Sequence, residues 1–254
     1  MNLKPIGLYH SEAKAPYEAA RQPLARIQTR GEIVLESGQQ FEQALEDLEG
    51  FERIWVIYLF HHNPHWKPKV RPPRGSDRKV GVFATRAPYR PNPIGMSCVK
   101  LVKISGLRLT VEGADLLDGT PVLDLKPYLP YADAFPDSKV GWVAQAKPFE
   151  VRFFPEAEAQ LEFLKSEGLT QLADFILNQL EYDPTSTDKK RVRAEGAHFV
   201  LAYKTWRVQF TVDEALRRIE VLKIFSGYGL QELAASEDPY GDKSLHRRYL
   251  GRFR

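Results

Sequence analysis

With 254 residues, 43% hydrophobic and 27% charged, the chain can bury a sizeable core in one or two globular domains. Its single cysteine, Cys98, excludes an internal disulfide and a thiolate metal cluster, and no apolar run approaches the roughly 20 residues of a membrane helix, so a cytoplasmic protein with no membrane partner is expected. The net charge of +3 is unevenly spread: Lys67, Lys69, Arg71, Arg74, Arg78, Lys79, Arg86 and Arg90 face one acid, Asp77, which makes that stretch +7 and attractive to phosphates.

In chain order, Phe41, Ala44, Leu45 and Leu48 fall at helical spacing before Gly50 and predict a short amphipathic helix. Ile54–Phe60 is a continuous apolar, β-favouring run and predicts a buried strand. Further strands are expected over Gly81–Thr85 and Ile94–Ile104. Leu107–Leu117 and Val122–Tyr128 flank Asp118-Gly119, a dipeptide suited to a tight hairpin turn. Several antiparallel strands with one helix predict a mainly β fold, a small antiparallel barrel over residues 1–145. Beyond it the pattern turns helical over Glu156–Lys165 and Leu169–Tyr182, and then gives strands around Phe199–Tyr203, Trp206–Val212 and Ile219–Phe225. A smaller α+β domain over residues 146–254 follows from this, closed by a basic tail, His246 to Arg254.

Several motifs resolve to bland readings. His61, His62 and His65 suggest a metal, but Pro64 forbids a regular helix there and no matching carboxylate or cysteine spacing follows, so no metal is expected. Gly227-Tyr-Gly229 imitates a dinucleotide loop, yet Glu232 stands where the third glycine belongs, which reads as a turn and leaves no Rossmann domain. The Gly81–Gly95 segment differs in kind. Pro88, Pro91 and Pro93 fix three φ angles within six residues, so the loop loses little entropy when a ligand binds. Arg86 and Arg90 offer planar bidentate donors to an anion, and Asn92 can donate and accept as base recognition requires. The competing reading is a structural loop capped by arginines.

The run Gly81-Val-Phe-Ala-Thr-Arg-Ala-Pro-Tyr-Arg-Pro-Asn-Pro-Ile-Gly95 resembles the signature of the TsaA/YaeB-like (TrmO) family. The likeness extends to Ile6-Gly7, Arg21-Gln-Pro23, Gly50 through His61, Val70-Arg-Pro-Pro-Arg74 and Asp118 through Pro130, about residues 3 to 135. It implies an S-adenosylmethionine-dependent tRNA (adenine-N6)-methyltransferase that modifies threonylcarbamoyladenosine beside the anticodon. It also implies a non-Rossmann barrel, a homodimer, and an anticodon stem-loop as partner. On this resemblance the cofactor lies against Pro23, Leu24, His61, His62, Arg86, Asp118, Gly119, Thr120 and Pro121. Asp124 and Tyr128 are the expected catalytic residues, Asp124 as first choice for taking the N6 proton. An Asp124–Lys126 ion pair at a strand end is the competing reading. Arg90, Asn92, Lys126, Arg71 and Arg74 are expected to hold substrate. One departure stands out: where the family carries Asp-Pro-Arg-Pro-Ala-Tyr, this chain has Asp183-Pro-Thr-Ser-Thr-Asp188. A non-catalytic RNA-binding barrel, or a methyltransferase with another acceptor, are the alternatives.

Overall fold

The computed structural model describes residues 3–11, 30–72, 78–186 and 190–253. Contacts divide the chain into two units, Met1–Gln145 and Ala146–Arg254. In the first unit the strands are β1 (Gly7–His10), β2 (Arg30–Leu35), β3 (Arg53–Leu59), β4 (Lys69–Val70), β5 (Val80–Gly81), β6 (Ile94–Ser105), β7 (Arg108–Glu112) and β8 (Thr120–Pro127). Six of them close a barrel in the order β1-β2-β7-β6-β3-β8, with every ladder antiparallel, while β4 and β5 form a separate ribbon. The mainly β, non-Rossmann reading is therefore correct for this unit.

Each barrel strand has one inner face, so its side chains alternate between core and outside. Ile54, Val56 and Tyr58 are buried along β3, whereas Trp55, Ile57 and Leu59 between them are partly exposed. The apolar run Ile54–Phe60 thus marks a one-sided strand rather than one buried on both faces. Ile33, Val99, Leu109, Val111 and Val122 complete the core from the other strands, with Leu45 lying beyond the single helical turn α1 (Phe41–Ala44).

Two expectations for this unit are corrected. Only Val80–Gly81 pairs as a strand; Val82–Ala84 then forms a tight helical turn, because the Thr85 amide and hydroxyl both donate to the Val82 carbonyl, at 3.1 and 2.8 Å. Asp118-Gly119 does turn, with Gly119 at φ +73, but it joins no hairpin. β7 stops at Glu112 and pairs with β2 and β6, while β8 lies between β1 and β3. The hairpin on β7 turns instead at Gly106, φ +57.

The second unit orders its sheet β10 (Val192–Glu195), β11 (His198–Tyr203), β12 (Trp206–Asp213), β13 (Arg218–Ser226) and β9 (Glu150–Phe153), with only the β13–β9 pair parallel. One face carries Val192, Leu201, Tyr203, Trp206, Val208, Phe210, Ile219, Val221 and Ile224. Helices α3 (Pro155–Ser166) and α4 (Leu172–Leu180) bury Ala157, Leu164, Leu172, Phe175, Ile176 and Leu180 against it. Two more helices complete the order after α2 (Pro130–Asp133) of the first unit: α5 (Leu230–Ala234) and α6 (Lys243–Arg252). The expected basic tail is in fact α6. Leu245, Tyr249 and Phe253 recur every four residues and pack onto the core, and His246 is buried with its ring 3.8 Å from that of Trp206.

Candidate active site

The chain leaves β3 at Leu59 and enters β6 at Ile94, and it leaves β7 at Glu112 and enters β8 at Thr120. Leu59, Ile94 and Thr120 lie at one end of the barrel, beside the end of β1, because Tyr9 pairs with Thr120 and Tyr58 with Gly95 and Val122; the segment after β7 reaches the same end through the Asp115–Ser97 hydrogen bond. Two buried tyrosines, Tyr9 and Tyr58, fill this mouth. Glycines make room for them: a Cβ on Gly31 would run into the Tyr9 ring, and one on Gly95 into the Tyr58 ring. Sequence reasoning placed Gly95 at the end of the loop and in the Ile94–Ile104 strand, and its ladder position shows what it clears.

Polar groups gather on these rings. The Ser97 hydroxyl donates to Asp115 Oδ1 at 2.5 Å and lies 3.3 Å from the Tyr58 hydroxyl. Burial pushes the Asp115 carboxyl up to about 6, opposed by the Ser97 hydrogen bond and by the charge of Arg86. Desolvation also raises Tyr58, with the Asp115 charge adding to it, and pushes Tyr9 up to about 12. Asp118 stands alongside, its Oδ1 accepting the Ser11 amide at 3.1 Å and lying 3.3 Å from His10 Nδ1. Gly119 donates to the Tyr9 carbonyl at 2.8 Å, and the Thr120 hydroxyl donates to the Leu117 carbonyl at 2.7 Å, which pins the turn to the mouth. Asp115, Ser97, Tyr9 and Tyr58 were all missed from sequence. The available signal was a lone acid amid apolar residues, Ala114-Asp-Leu-Leu117.

The Gly81–Gly95 loop borders this mouth. Arg86 is exposed and acts electrostatically on Asp115 and Tyr58. Arg90 turns inward instead: its guanidinium donates to the Thr85 carbonyl at 2.8 Å and the Val82 carbonyl at 3.2 Å and lies over the Phe83 ring. That is the role of a brace. Further pins are Trp142 Nε1 to the Ala84 carbonyl at 2.8 Å, the Lys67 amide to the Tyr89 carbonyl at 3.1 Å, and the Phe60 amide to the Pro93 carbonyl at 2.7 Å. Asn92 is exposed on the loop, and its carbonyl accepts the Ile94 amide.

His61 and His62 follow β3 at the mouth with their ring centroids 3.9 Å apart. Burial and the His62 neighbour hold His61 below the ordinary imidazole value, which keeps it neutral near pH 7. Among the described residues, no three His, Cys, Asp or Glu side chains converge as a metal site. Lys67, Lys69 and Arg71 are exposed beside the loop. Pro23, Leu24 and Arg74 lie outside the described residues.

Asp124, Lys126 and Tyr128 are not brought to this mouth. β8 runs away from it, so Tyr128 lies about 25 Å beyond Thr120 at the ~3.3 Å rise of a strand. Its amide donates to the Arg53 carbonyl, at the opposite end of β3, and its ring meets Trp55 edge-on. Asp124 lies on the outer wall, beside Ile57 and in a 3.1 Å ion pair with Lys126. Around that pair the wall is partly apolar: Ile57 is flanked by Met96, and Ile94 and Met96 are exposed.

Comparison with known proteins fits this arrangement. Residues 8–134 match the family described as "tRNA-methyltransferase O N-terminal domain". A tRNA (adenine(37)-N6)-methyltransferase of Escherichia coli is 37% identical over 216 residues, which is 82% of this chain and 89% of that protein. A Pseudomonas aeruginosa protein, RcsF, whose name classes it among S-adenosylmethionine-dependent methyltransferases, is 41% identical over 74% of this chain and 84% of its own. The crystal structure of TrmO from Pseudomonas aeruginosa superposes with a TM-score of 0.62 at 33% identity, covering 88% of this chain and 97% of that one. A barrel with this mouth, matched in sequence across its length and in fold beyond it, belongs to the tRNA-methyltransferase O family.

Proposed function

We propose that this protein is an S-adenosylmethionine-dependent tRNA methyltransferase that acts on N6 of adenosine 37. The observation that carries the reading is the match to the Escherichia coli enzyme of that name, which spans 82% of the chain, beside the family match over residues 8–134, which contain the mouth. As the finer reading, the acceptor is threonylcarbamoyladenosine in the anticodon stem-loop, the protein is cytoplasmic, and it works as a homodimer.

The mouth's donor set suits the cofactor. Arg86 offers a guanidinium for its carboxylate, and the Leu117–Thr120 turn offers backbone polar groups for the nucleoside. Asp118 and Asp115 offer negative charge to its cationic portion. When bound, S-adenosylmethionine supplies a methyl group made electrophilic by a sulfonium. The chain must then hold the adenine nitrogen in line with that methyl and take up the N6 proton. Within one chain we assign that proton to Asp115, a reading supported by its elevated pKa, which makes it a stronger base than an ordinary aspartate yet leaves it ionised at pH 7. Asp124 and Tyr128 reach a mouth only if the exposed wall of Ile94, Met96 and Ile57 packs on a second copy. Lys67, Lys69, Arg71 and Asn92 face the RNA from the loop side, and Arg90 holds the loop in shape.

Purified protein incubated with methyl-labelled cofactor and two tRNA pools tests this reading, one pool coming from cells unable to make threonylcarbamoyladenosine. Label confined to adenosine 37 of the modified pool is expected. Equal labelling of both pools overturns the acceptor, and label in neither favours the non-catalytic RNA-binding barrel.

A further inference from the structure

The face of the second unit's sheet that α3 and α4 do not cover has an unusual charge arrangement. The register places its side chains in rows across the strands. One row runs Arg191, Ala202, Arg207 and Phe225; the next runs Arg193, Val200, Gln209 and Lys223. These two adjacent rows hold four cations and no acid. The following row holds Glu195, His198, Thr211, Glu220 and Arg152, so the acids are confined to the other end of the face. There Glu150 pairs with Arg152 at 2.8 Å and with Arg218 at 3.7 Å.

Like charges on neighbouring strands repel, so this clustering weakens the sheet. Its effect is visible at Arg207, which burial and then the charges of Arg193 and Arg191 hold below the usual guanidinium range, with Glu232 the opposing acid. Arg207 is fixed in place, donating to the Trp206 carbonyl at 2.8 Å and the Lys204 carbonyl at 3.2 Å. A Cβ on Gly227 would run into that guanidinium, so glycine leaves it room. Arg191, Arg193, Lys204 and Lys223 are exposed, and Lys223 Nζ lies 5.9 Å from the Phe225 ring. Among the described residues, no ion pair joins Arg193, Arg207 or Lys223 to an acid.

We infer that this face, centred on Arg191, Arg193, Arg207 and Lys223, binds the sugar-phosphate backbone of the tRNA. Four cations spread over three strand spacings, about 14 Å, match successive phosphates of one RNA strand. Phe225 and the planar guanidiniums add surfaces on which a base can stack, as other RNA-binding sheets use them. The inference rests on the methyltransferase reading for the identity of the RNA. Its assignment to this face rests on the charge rows alone.

The test measures binding of an unmodified tRNA transcript to the full chain, without cofactor, from about 50 to about 300 mM salt, and fits the slope of log K against log salt. The Arg193→Glu/Lys223→Glu variant is expected to bind 10–100-fold more weakly and to flatten the slope by about 1.4–1.8. Arg152→Gln, on the same face beyond the acids, is expected to leave both unchanged. Calorimetric binding of S-adenosylmethionine and the thermal melt serve as folding controls. A folded double variant with wild-type affinity and slope overturns the inference, as does an equal loss in Arg152→Gln. If the wild type binds tRNA through this face yet methylates none, the functional reading fails and the surface assignment stands.

Discussion

The barrel mouth and the open face of the second sheet use charge in opposite ways. At the mouth, Asp115, Ser97 and Tyr58 sit close and desolvated, and the charge of exposed Arg86 acts on both Asp115 and Tyr58, so neighbouring groups set one another's proton affinity. On the sheet, exposed Arg191, Arg193 and Lys223 and half-buried Arg207 are laid out by strand register with no acid in their rows. The first arrangement suits a proton transfer and a fixed small ligand; the second suits a long polyanion held by many weak contacts. The difference teaches that a cation's place in the ladder, more than its number in the chain, decides what it can do.

The largest expected effect breaks the mouth's chemistry. Asp115→Asn should lower turnover at saturating cofactor and tRNA by about 10²–10⁴-fold. It should also remove the activity rise through pH ~6 that its deprotonation gives the wild type, as a pH–rate profile would show. Normal turnover by Asp115→Asn with a defective Asp124→Asn would move the proton transfer to the outer wall and make the active unit a dimer.

Next in size is a buried cation set against the exposed ones. Lys190, one residue before the cationic rows, is buried and donates to the carbonyls of Gln179 in the last turn of α4 and of Tyr182 and Asp183 just beyond it. Lys190→Met leaves those carbonyls without their donor and should cost about 2–3 kcal/mol in denaturant unfolding of the second unit. Single neutral replacements at Arg193 or Lys223 should fall within about 0.5 kcal/mol. An equal cost at all three would erase the contrast.

Gly95→Ala sharpens the mouth from the packing side. Its new methyl must displace the Tyr58 ring, so a loss of about 1–3 kcal/mol is expected, accompanied by weaker cofactor binding. A last effect concerns stability and pH. Asp115 has a native pKa raised to about 6 from 3.8, so the native state binds the proton more tightly than the unfolded chain. The fold is therefore penalised as pH rises from about 4 to about 6 and stays so above. Asp115→Asn should raise stability by up to about 3 kcal/mol at pH 7.5, and the gain should vanish below pH ~4, as melts across that range would show.

Much of this architecture was legible in sequence, and the exceptions have physical causes. The Ile54–Phe60 and Ile94–Ile104 strands and helices α3 and α4 of the second unit follow from periodicity, because each packs one face on a core. Gly81–Thr85 failed as a strand because the Thr85 hydroxyl closes a local turn, which competes with a ladder. Arg90 reads in sequence as a ligand donor like Arg86, yet two loop carbonyls claim it. Asp118 and Tyr128 are near neighbours in the chain, but an extended strand carries them to opposite ends of the barrel. The cationic rows are invisible as a run, since Arg191, Arg193, Arg207 and Lys223 become adjacent only through pairing.

The division of labour is tested most directly by the dependence of methylation rate on tRNA concentration in Arg193→Glu/Lys223→Glu. A wild-type rate at saturating tRNA with half-saturation raised 10-fold or more is the predicted result. A reduced rate at saturation with unchanged half-saturation would contradict it.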